Sequence, residues 1–511
     1  MNTPSSPRRA VPTALILVIA VAALLRFAFI ESRSLWFDEA YSLEMARRPV
    51  GDLITTVAQR DVHPPFYYFV LSAWTRLFGT TEIALRSLSA VIGAALVAGA
   101  WWLGEHVGGR AVAVSAALIA AVAPLPILAS QEARMYPLLG LLTVGSWGAL
   151  IGALDDRRGA WPVYVAVSAL CLYTHYYAAF VLTSQAVYVI AAAPRARWRE
   201  WAASQVLLAV LYLPWLRVLV ATLASGKAWP FYRPPLGLAT ATDMAALMGF
   251  GGHVFGFAGY HEAATAPLPM QILILTPVVV ITWLGLRAAW RAGEAGRLLL
   301  AFVSPVLLVF LLSAWKNILY PRYLSFLFPG CAVILALGLS QAAQLMPQAM
   351  RRRAAAALVA GVVAINLSVL MTIQRNPAYH SYDWRSTATA LAAGAGPNDL
   401  IVAFPGQARI PLTYYFKGAQ RIEEMTPREY LDVTGGIARD DPEQTARNRE
   451  ILKGYAAVHP VMWIVATRPL PAAALGRLQR LLSGIYDYRG EADFKGIVVF
   501  HLTRRSGPAP P

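Results

Sequence analysis

Residues 11–30 read VPTALILVIAVAALLRFAFI, and after three more residues positions 34–42 read SLWFDEAYS. The first stretch is twenty residues of almost unbroken apolar character. At 1.5 Å per residue a helix of that length covers the roughly 30 Å of a bilayer's hydrocarbon. The second stretch then places two adjacent carboxylates, Asp38 and Glu39, at the bilayer edge among Trp36, Phe37 and Tyr41. Aromatics at that depth are ordinary interface anchors. Paired acids beside hydrocarbon are not, because each carries a desolvation penalty. Either this is a solvated loop with a chance acidic pair, or Asp38 is a base placed where a lipid-borne substrate arrives.

Composition supports the membrane reading. The 511 residues are 57% hydrophobic and 14% charged, with a mean hydropathy of +0.50, whereas soluble domains carry about a quarter charged residues. The formal charge of +16 sits largely in short basic clusters between apolar runs. That pattern follows the positive-inside rule and argues against nucleic acid as a partner. Cys171 and Cys331 both fall within apolar runs, as small core residues do. Pro7-Arg8-Arg9 ahead of the first run resembles a signal peptide, but no small-residue cleavage site follows, so the run reads as a signal anchor.

Counting apolar runs of about twenty residues predicts spans at 11–30, 84–104, 111–129, 136–154, 161–175, 177–193, 203–223, 270–290, 298–315, 323–341 and 354–373. The expected fold class is therefore an α-helical polytopic membrane protein of about eleven transmembrane helices, with eleven to thirteen as the range. With the N-terminus cytoplasmic, every dense basic cluster falls on the cytoplasmic side: Arg157 and Arg158, Arg195 to Arg199, Arg287 to Arg297, and Arg351 to Arg353. The other side receives 31–83, the junction at 130–136, His175-Tyr176, the long loop 224–269, Lys316 to Arg322 and the C-terminal segment. This bookkeeping requires Pro64 to Phe78, too short to span, to lie along the interface.

From about Tyr379 the composition turns more polar. Short β-rich runs at 399–404, 461–466 and 497–502 suit buried strands, with helical stretches at 388–393 and 472–482. The division is thus a membrane domain at 1–378 and a small α/β domain at 379–511, the latter extracytoplasmic, with a disordered tail at 506–511.

Several residues on the extracytoplasmic side could carry chemistry. Asp38 and Glu39 are neighbours, about 100° apart if helical, so they suit separate roles better than joint chelation of one metal. His63, in Asp61-Val62-His63-Pro64-Pro65, could serve a phosphate, a metal or a sugar hydroxyl, or simply cap a turn. Gln131-Glu132-Ala133-Arg134-Met135-Tyr136 joins two spans, and an arginine there can clamp a phosphate or neutralise an anchor. Lys316 with Tyr320-Pro321-Arg322-Tyr323 is a site of the same kind. The loop 224–269 carries Trp229, Arg233, His253 and His261 without a spacing that names a reaction, and there is no Walker loop, zinc-type spacing or nucleophile elbow.

In this order the motifs resemble the GT-C class of lipid-linked-sugar glycosyltransferases. More narrowly, they resemble the protein O-mannosyltransferase-like family that includes the aminoarabinose transferase. The residues that carry the resemblance are Trp36-Phe37-Asp38-Glu39, His63-Pro64-Pro65 before a helix ending Leu77-Phe78-Gly79, Ala84-Leu85-Arg86-Ser87, Gln131 to Tyr136, Pro321-Arg322-Tyr323 and Asp383-Trp384-Arg385. The resemblance implies transfer of a sugar from a polyprenyl-phosphate donor to an acceptor hydroxyl by single displacement with inversion. In it Asp38 is the catalytic base. Arg134, Tyr136, Arg322 and Tyr323 hold the donor phosphate. Glu39 and His63 contact the acceptor, organise the base or contribute to a metal site. No cofactor is required, and a divalent metal is left open. The implied partners are the lipid-linked donor, the bilayer, and an acceptor that is a protein, a glycolipid or a polysaccharide. The implied location is the plasma (inner) membrane. A transporter or flippase of lipid-linked sugars is the rival reading; the sequence has no internal repeat and no matched pair of Gly/Pro-broken spans to support it.

Overall fold

The computed structural model describes residues 11–224, 268–376, 382–424, 442–468 and 472–505. The expected functional loop at 224–269, apart from its ends, lies outside the described residues, as do the tail from 506 and the domain boundary at 379.

The chain opens with α1 (Thr13–Phe27), then three short helices, α2 (Phe37–Ala46), α3 (Val50–Arg60) and α4 (Phe66–Phe78). There follow α5 (Glu82–Val122), α6 (Pro124–Ser130), α7 (Tyr136–Leu154), α8 (Ala160–Thr174), α9 (Ala178–Ala192) and α10 (Trp198–Ala224). Past the undescribed loop come α11 (Leu268–Arg291), α12 (Gly293–Val303), α13 (Pro305–Trp315), α14 (Phe328–Gln344) and α15 (Arg351–Arg375). Every expected span is helical. Six described stretches are long and apolar enough to cross a membrane by themselves: Glu82–Val122, Tyr136–Leu154, Arg195–Ala224, Gly293–Trp315, Arg322–Gln344 and Gln348–Arg375. Thr13–Phe27, Ala160–Thr174 and Ala178–Ala192 are shorter apolar helices.

Two local features shape the bundle. The 41 residues of α5 contain two of the expected spans, separated at Gly109, whose φ of 72° is a left-handed conformation that breaks the helix. Among the described spanning stretches Arg322–Gln344, which contains α14, is the most enclosed, with 89% of its apolar window buried, and small residues let its neighbours close in. A Cβ on Gly338 would collide with the Ile281 carbonyl, and one on Gly285 in α11 with that of Ile334. Such close approach is how membrane helices gain packing without a hydrophobic driving force. The buried charge of Arg26 in α1 also has a local explanation. Its Nη1 donates to the carbonyls of Ala22 at 3.0 Å and Ala121 at 3.2 Å, and Nη2 to that of Ala120 at 3.4 Å, so it caps the last turn of α5.

Residues 31–83, expected as a loop with one interfacial helix, contain all three of α2, α3 and α4. At 13 residues α4 is about 20 Å long, too short to span, and it stops at Gly79 with φ 86°. Its Tyr67, Tyr68 and Leu71 join Leu35, Leu43, Met45, Leu53, Val57, Leu85, Met135 and Tyr136 in a core of its own, distinct from that of the span bundle.

The C-terminal domain holds α16 (Trp384–Gly394), β1 (Leu400–Phe404), α17 (Arg409–Tyr415), β2 (Ile422–Glu424), α18 (Pro442–Val458), β3 (Val461–Thr467), α19 (Ala472–Leu482), β4 (Tyr486–Phe494) and β5 (Ile497–Arg504). The sheet order is β2-β1-β3-β5-β4, parallel from β2 through β3 and antiparallel beyond it. The three expected strands are its three central ones. The edge strands do not announce themselves in sequence: β2 has three residues, and β4 is largely solvent-facing and reads as polar.

Candidate active site

The site is built on α2. Asp38 and Glu39 occupy its first turn, where carboxylates complement the helix dipole, and the helical twist turns them in different directions. Glu39 points into protein and is fully buried. Its Oε1 accepts from Arg86 Nε at 2.7 Å and from the Ala133 N–H at 3.0 Å. Its Oε2 accepts from Arg86 Nη2 at 2.7 Å and from the Trp36 N–H at 3.4 Å. Arg86 is itself buried in the first turns of α5 and donates further to the carbonyls of Ile30, Arg33 and Ser34 at 2.7, 2.9 and 3.2 Å. This two-pronged pair therefore ties together the end of α1, the start of α2, α5 and the 131–135 junction. Glu39 was expected as an acceptor contact, an organiser of the base or a metal ligand. Both its oxygens accept hydrogen bonds within the protein, an arrangement in keeping with the organising role that was one of its expected alternatives.

Asp38 is the open member of the pair. Its side chain retains 28% of its surface, and Oδ2 lies 3.7 Å from Nη2 of Arg134. Arg134 is buried at 2% exposure. Its Nη1 donates to the Asp38 carbonyl at 3.4 Å and to Ser42 Oγ at 3.2 Å, while its Nε has no hydrogen-bond partner among the described residues.

Arg322 approaches from the seven-residue 3-10 turn before α14. Its guanidinium stacks 4.3 Å from the ring centre of Trp36, with the rings of Tyr320 and Tyr136 at 5.2 and 5.8 Å. Nη1 is 3.3 Å from Glu132 Oε2. Burial pushes the Glu132 carboxyl above its usual range even though Arg322 opposes the shift. Tyr136 and Tyr323 lie stacked at 5.5 Å, and Tyr323 meets His175 and His63 edge-on at 5.0 and 6.2 Å. The four residues expected at the donor phosphate, Arg134, Tyr136, Arg322 and Tyr323, thus converge with Asp38 at one end of the bundle. Lys316 stands exposed at the end of α13.

His63 is held by Asp61. Asp61 Oδ1 accepts from the backbone N–H groups of Val62 and His63 at 2.6 and 3.0 Å and lies 3.1 Å from His63 Nδ1, while Oδ2 accepts from the Tyr68 hydroxyl at 2.6 Å. Burial opposes ionisation of Asp61, but these bonds and the charge of Arg134 outweigh it and hold the carboxyl below the usual carboxylate range. Among the described residues no group of three His, Cys, Asp or Glu side chains is placed to hold a metal ion. Of the two expected candidates, Glu39 is paired with Arg86, and Asp61 engages Nδ1 of His63.

Buried polar groups are nearly always hydrogen-bonded, yet here Trp36 Nε1, the Tyr136 hydroxyl and Arg134 Nε are buried with no partner among the described residues. All three can donate. Together with the arginines they make a cradle short of acceptors, the chemistry of an anionic, oxygen-rich ligand. The sequence reading quoted Trp36, Asp61 and Arg86 within its motifs but gave them no role in the site. Arg86 had a signal, since it is a charge inside an apolar run.

The family described as dolichyl-phosphate-mannose-protein mannosyltransferase matches residues 62–222. The chain is similar in structure to ArnT from Cupriavidus metallidurans in the apo state, with a TM-score of 0.62, 14% identity and coverage of 95% of this chain and 97% of that one. ArnT bound to undecaprenyl phosphate gives 0.61 at 14% identity, covering 97% and 99%. The archaeal oligosaccharyltransferase AglB from Archaeoglobus fulgidus, in complex with an inhibitory peptide and a dolichol-phosphate, gives 0.55 at 12% identity, covering 95% and 74%. No curated protein sequence matches. At these identities the likeness is one of fold: a GT-C membrane architecture with a C-terminal domain.

Proposed function

We propose, taking the chain as a member of the GT-C class of membrane glycosyltransferases, that it moves a sugar from a polyprenyl-phosphate donor to an acceptor hydroxyl on the extracytoplasmic face. The observation that carries this reading is the half-open carboxylate of Asp38 beside a cradle of unpaired donors and arginines at one end of an apolar bundle. The family match and the shared fold support it.

In this reaction the acceptor oxygen attacks the anomeric carbon and its proton passes to Asp38. The bond between that carbon and the phosphate oxygen breaks as the new one forms. The electron pair leaves with polyprenyl phosphate, and one displacement inverts the anomeric centre. General-base assistance of this kind contributes about 10²–10⁴-fold. The larger electrostatic demand is at the leaving phosphate, where charge grows in a low-dielectric setting. Arg322 and Arg134 meet it as donors, with the hydroxyls of Tyr136 and Tyr323 completing the shell. Glu132, 3.3 Å from Arg322 Nη1, orients that guanidinium beside Trp36. His63, fixed by Asp61, faces Tyr323 and supports the phosphate side.

The apolar spans would deliver the donor's lipid from the bilayer. The plasma (inner) membrane, with the N-terminus cytoplasmic, puts the arginine clusters inside and the site outside. One contact agrees with that sidedness: Arg197 Nη2 pairs with Asp156 at 2.9 Å, so two of the basic loops share an end of the bundle. The acceptor is a protein, glycolipid or polysaccharide hydroxyl. The test is release of free polyprenyl phosphate by purified protein in lipid, from a panel of polyprenyl-phosphate sugars with envelope extract as acceptor. Wild type should release it and Asp38→Asn should be slower by about 10²-fold or more. Equal rates would remove Asp38 from the mechanism, and no release from any donor would remove the transferase reading.

A further inference from the structure

Three residues that no step above uses lie between the C-terminal domain and the segment leading into α2. Arg385, in the first turn of α16, donates from Nε to Glu82 Oε1 at 2.9 Å and from Nη2 to Glu82 Oε2. The same Nη2 reaches the carbonyls of Glu31 and Arg33 at 2.6 and 3.1 Å, and the Arg385 N–H donates to Ser34 Oγ at 3.3 Å. From α17, the Tyr415 hydroxyl donates to Glu82 Oε1 at 2.6 Å and accepts from the Leu35 N–H at 2.6 Å. Glu82 then lies 3.6 Å from Arg86, the partner of Glu39.

Segment 31–35 is therefore gripped from two sides. Arg86 holds its carbonyls from the membrane domain, and Arg385 with Tyr415 holds it from the C-terminal domain. The next residues are Trp36, which stacks on Arg322, and Asp38. We propose that Arg385, Tyr415 and Glu82 form a latch through which the C-terminal domain positions Asp38, which makes that domain a working part of the active site. The physical warrant is the sensitivity of displacement chemistry to geometry: a misplacement of about 1 Å can slow a reaction about 10²-fold. A segment of irregular backbone holds such a tolerance only when its polar groups are tied down. All three are positioning residues, and the inference rests on Asp38 being the base.

The test uses full-length protein in nanodiscs with Arg385→Ala and Tyr415→Phe. Arg385 is 41% exposed, and Tyr415→Phe keeps the ring, so neither variant opens the core. Hydrogen–deuterium exchange of the peptide covering 31–46 reports the latch without needing activity. We expect exchange there to quicken by about tenfold, equivalent to about 1.4 kcal/mol. We also expect kcat to fall by about tenfold or more while donor KM holds, with part of the loss restored in Arg385→Lys. Unchanged exchange in both variants overturns the latch. Faster exchange with wild-type kcat overturns positioning, as does a loss of kcat with exchange raised across the whole protein. If wild type transfers no sugar, the functional reading fails separately and the exchange measurement still decides whether the domain holds the segment.

Discussion

The adjacent carboxylates of α2 should separate cleanly under mutation, one belonging to stability and the other to chemistry. Glu39→Gln keeps the shape of the side chain but removes its charge. It puts an NH₂ where Oε1 or Oε2 accepts from Arg86 at 2.7 Å, between side chains that are 1% and 3% exposed. At an effective dielectric of about 20 two charges about 4 Å apart attract by about 4 kcal/mol. Breaking a buried pair by neutralising one partner costs about 3–5 kcal/mol, because the other charge stays behind. The carbonyls of Ile30, Arg33 and Ser34 still solvate Arg86, which argues for the lower end, about 3 kcal/mol. Asp38→Asn, by contrast, alters a 28%-exposed carboxylate whose ion pair is 3.7 Å long, and should destabilise much less. The assay is denaturant unfolding of both variants and wild type in the same lipid at pH 7, beside transfer rates. Asp38→Asn should be slower by about 10²-fold or more and nearly as stable as wild type, whereas Glu39→Gln should be weaker by about 3 kcal/mol. An Asp38→Asn protein that loses as much stability as Glu39→Gln, or a Glu39→Gln protein within about 1 kcal/mol of wild type, would refute this division of labour.

Two further outcomes follow from the site. Arg322→Ala removes a charge-assisted donor and its stacking on Trp36 at 4.3 Å; at about 1.5–3 kcal/mol for such a bond, undecaprenyl phosphate should bind about tenfold to a hundredfold more weakly, by equilibrium titration in nanodiscs. Unchanged binding would take Arg322 out of the phosphate site. Asp61→Asn tests pH dependence. A carboxyl held below its ordinary value by His63, Tyr68 and Arg134 adds stability that is present above the unfolded pKa of about 3.9 and is lost as pH falls through the lower folded value. The variant should therefore be less stable than wild type at neutral pH, and the two unfolding curves should converge on acidification below about pH 4; a gap that widens in acid would reverse the assignment.

The sequence alone determined what depends on local pattern. Each of the eleven apolar runs of span length falls on helix, since in lipid the backbone must satisfy itself within each segment and hydropathy reads that directly. It also predicted the central strands β1, β3 and β5, whose burial makes them continuous apolar runs. The residues of the site were legible as types: Asp38, Arg134, Tyr136, Arg322 and Tyr323 are polar or charged groups at span ends. Their roles relative to one another were not. That Glu39 faces Arg86 while Asp38 stays partly exposed beside Arg134 depends on where α5 and the 131–135 junction pass α2, and no local periodicity encodes that. Trp36 becomes the platform of Arg322, 286 positions later in sequence, only because the 3-10 turn at 321–327 is brought over it. The bond from Arg385 to Glu82 joins positions 303 residues apart and crosses between two domains. Edge strand β4 stayed hidden because its exposed face carries polar residues, and only pairing with β5 makes it a strand. Helices in a membrane are specified segment by segment, through hydropathy and backbone hydrogen bonding. An active site is specified by which segments meet, and that was settled by tertiary packing among small residues and by buried charges that must find partners.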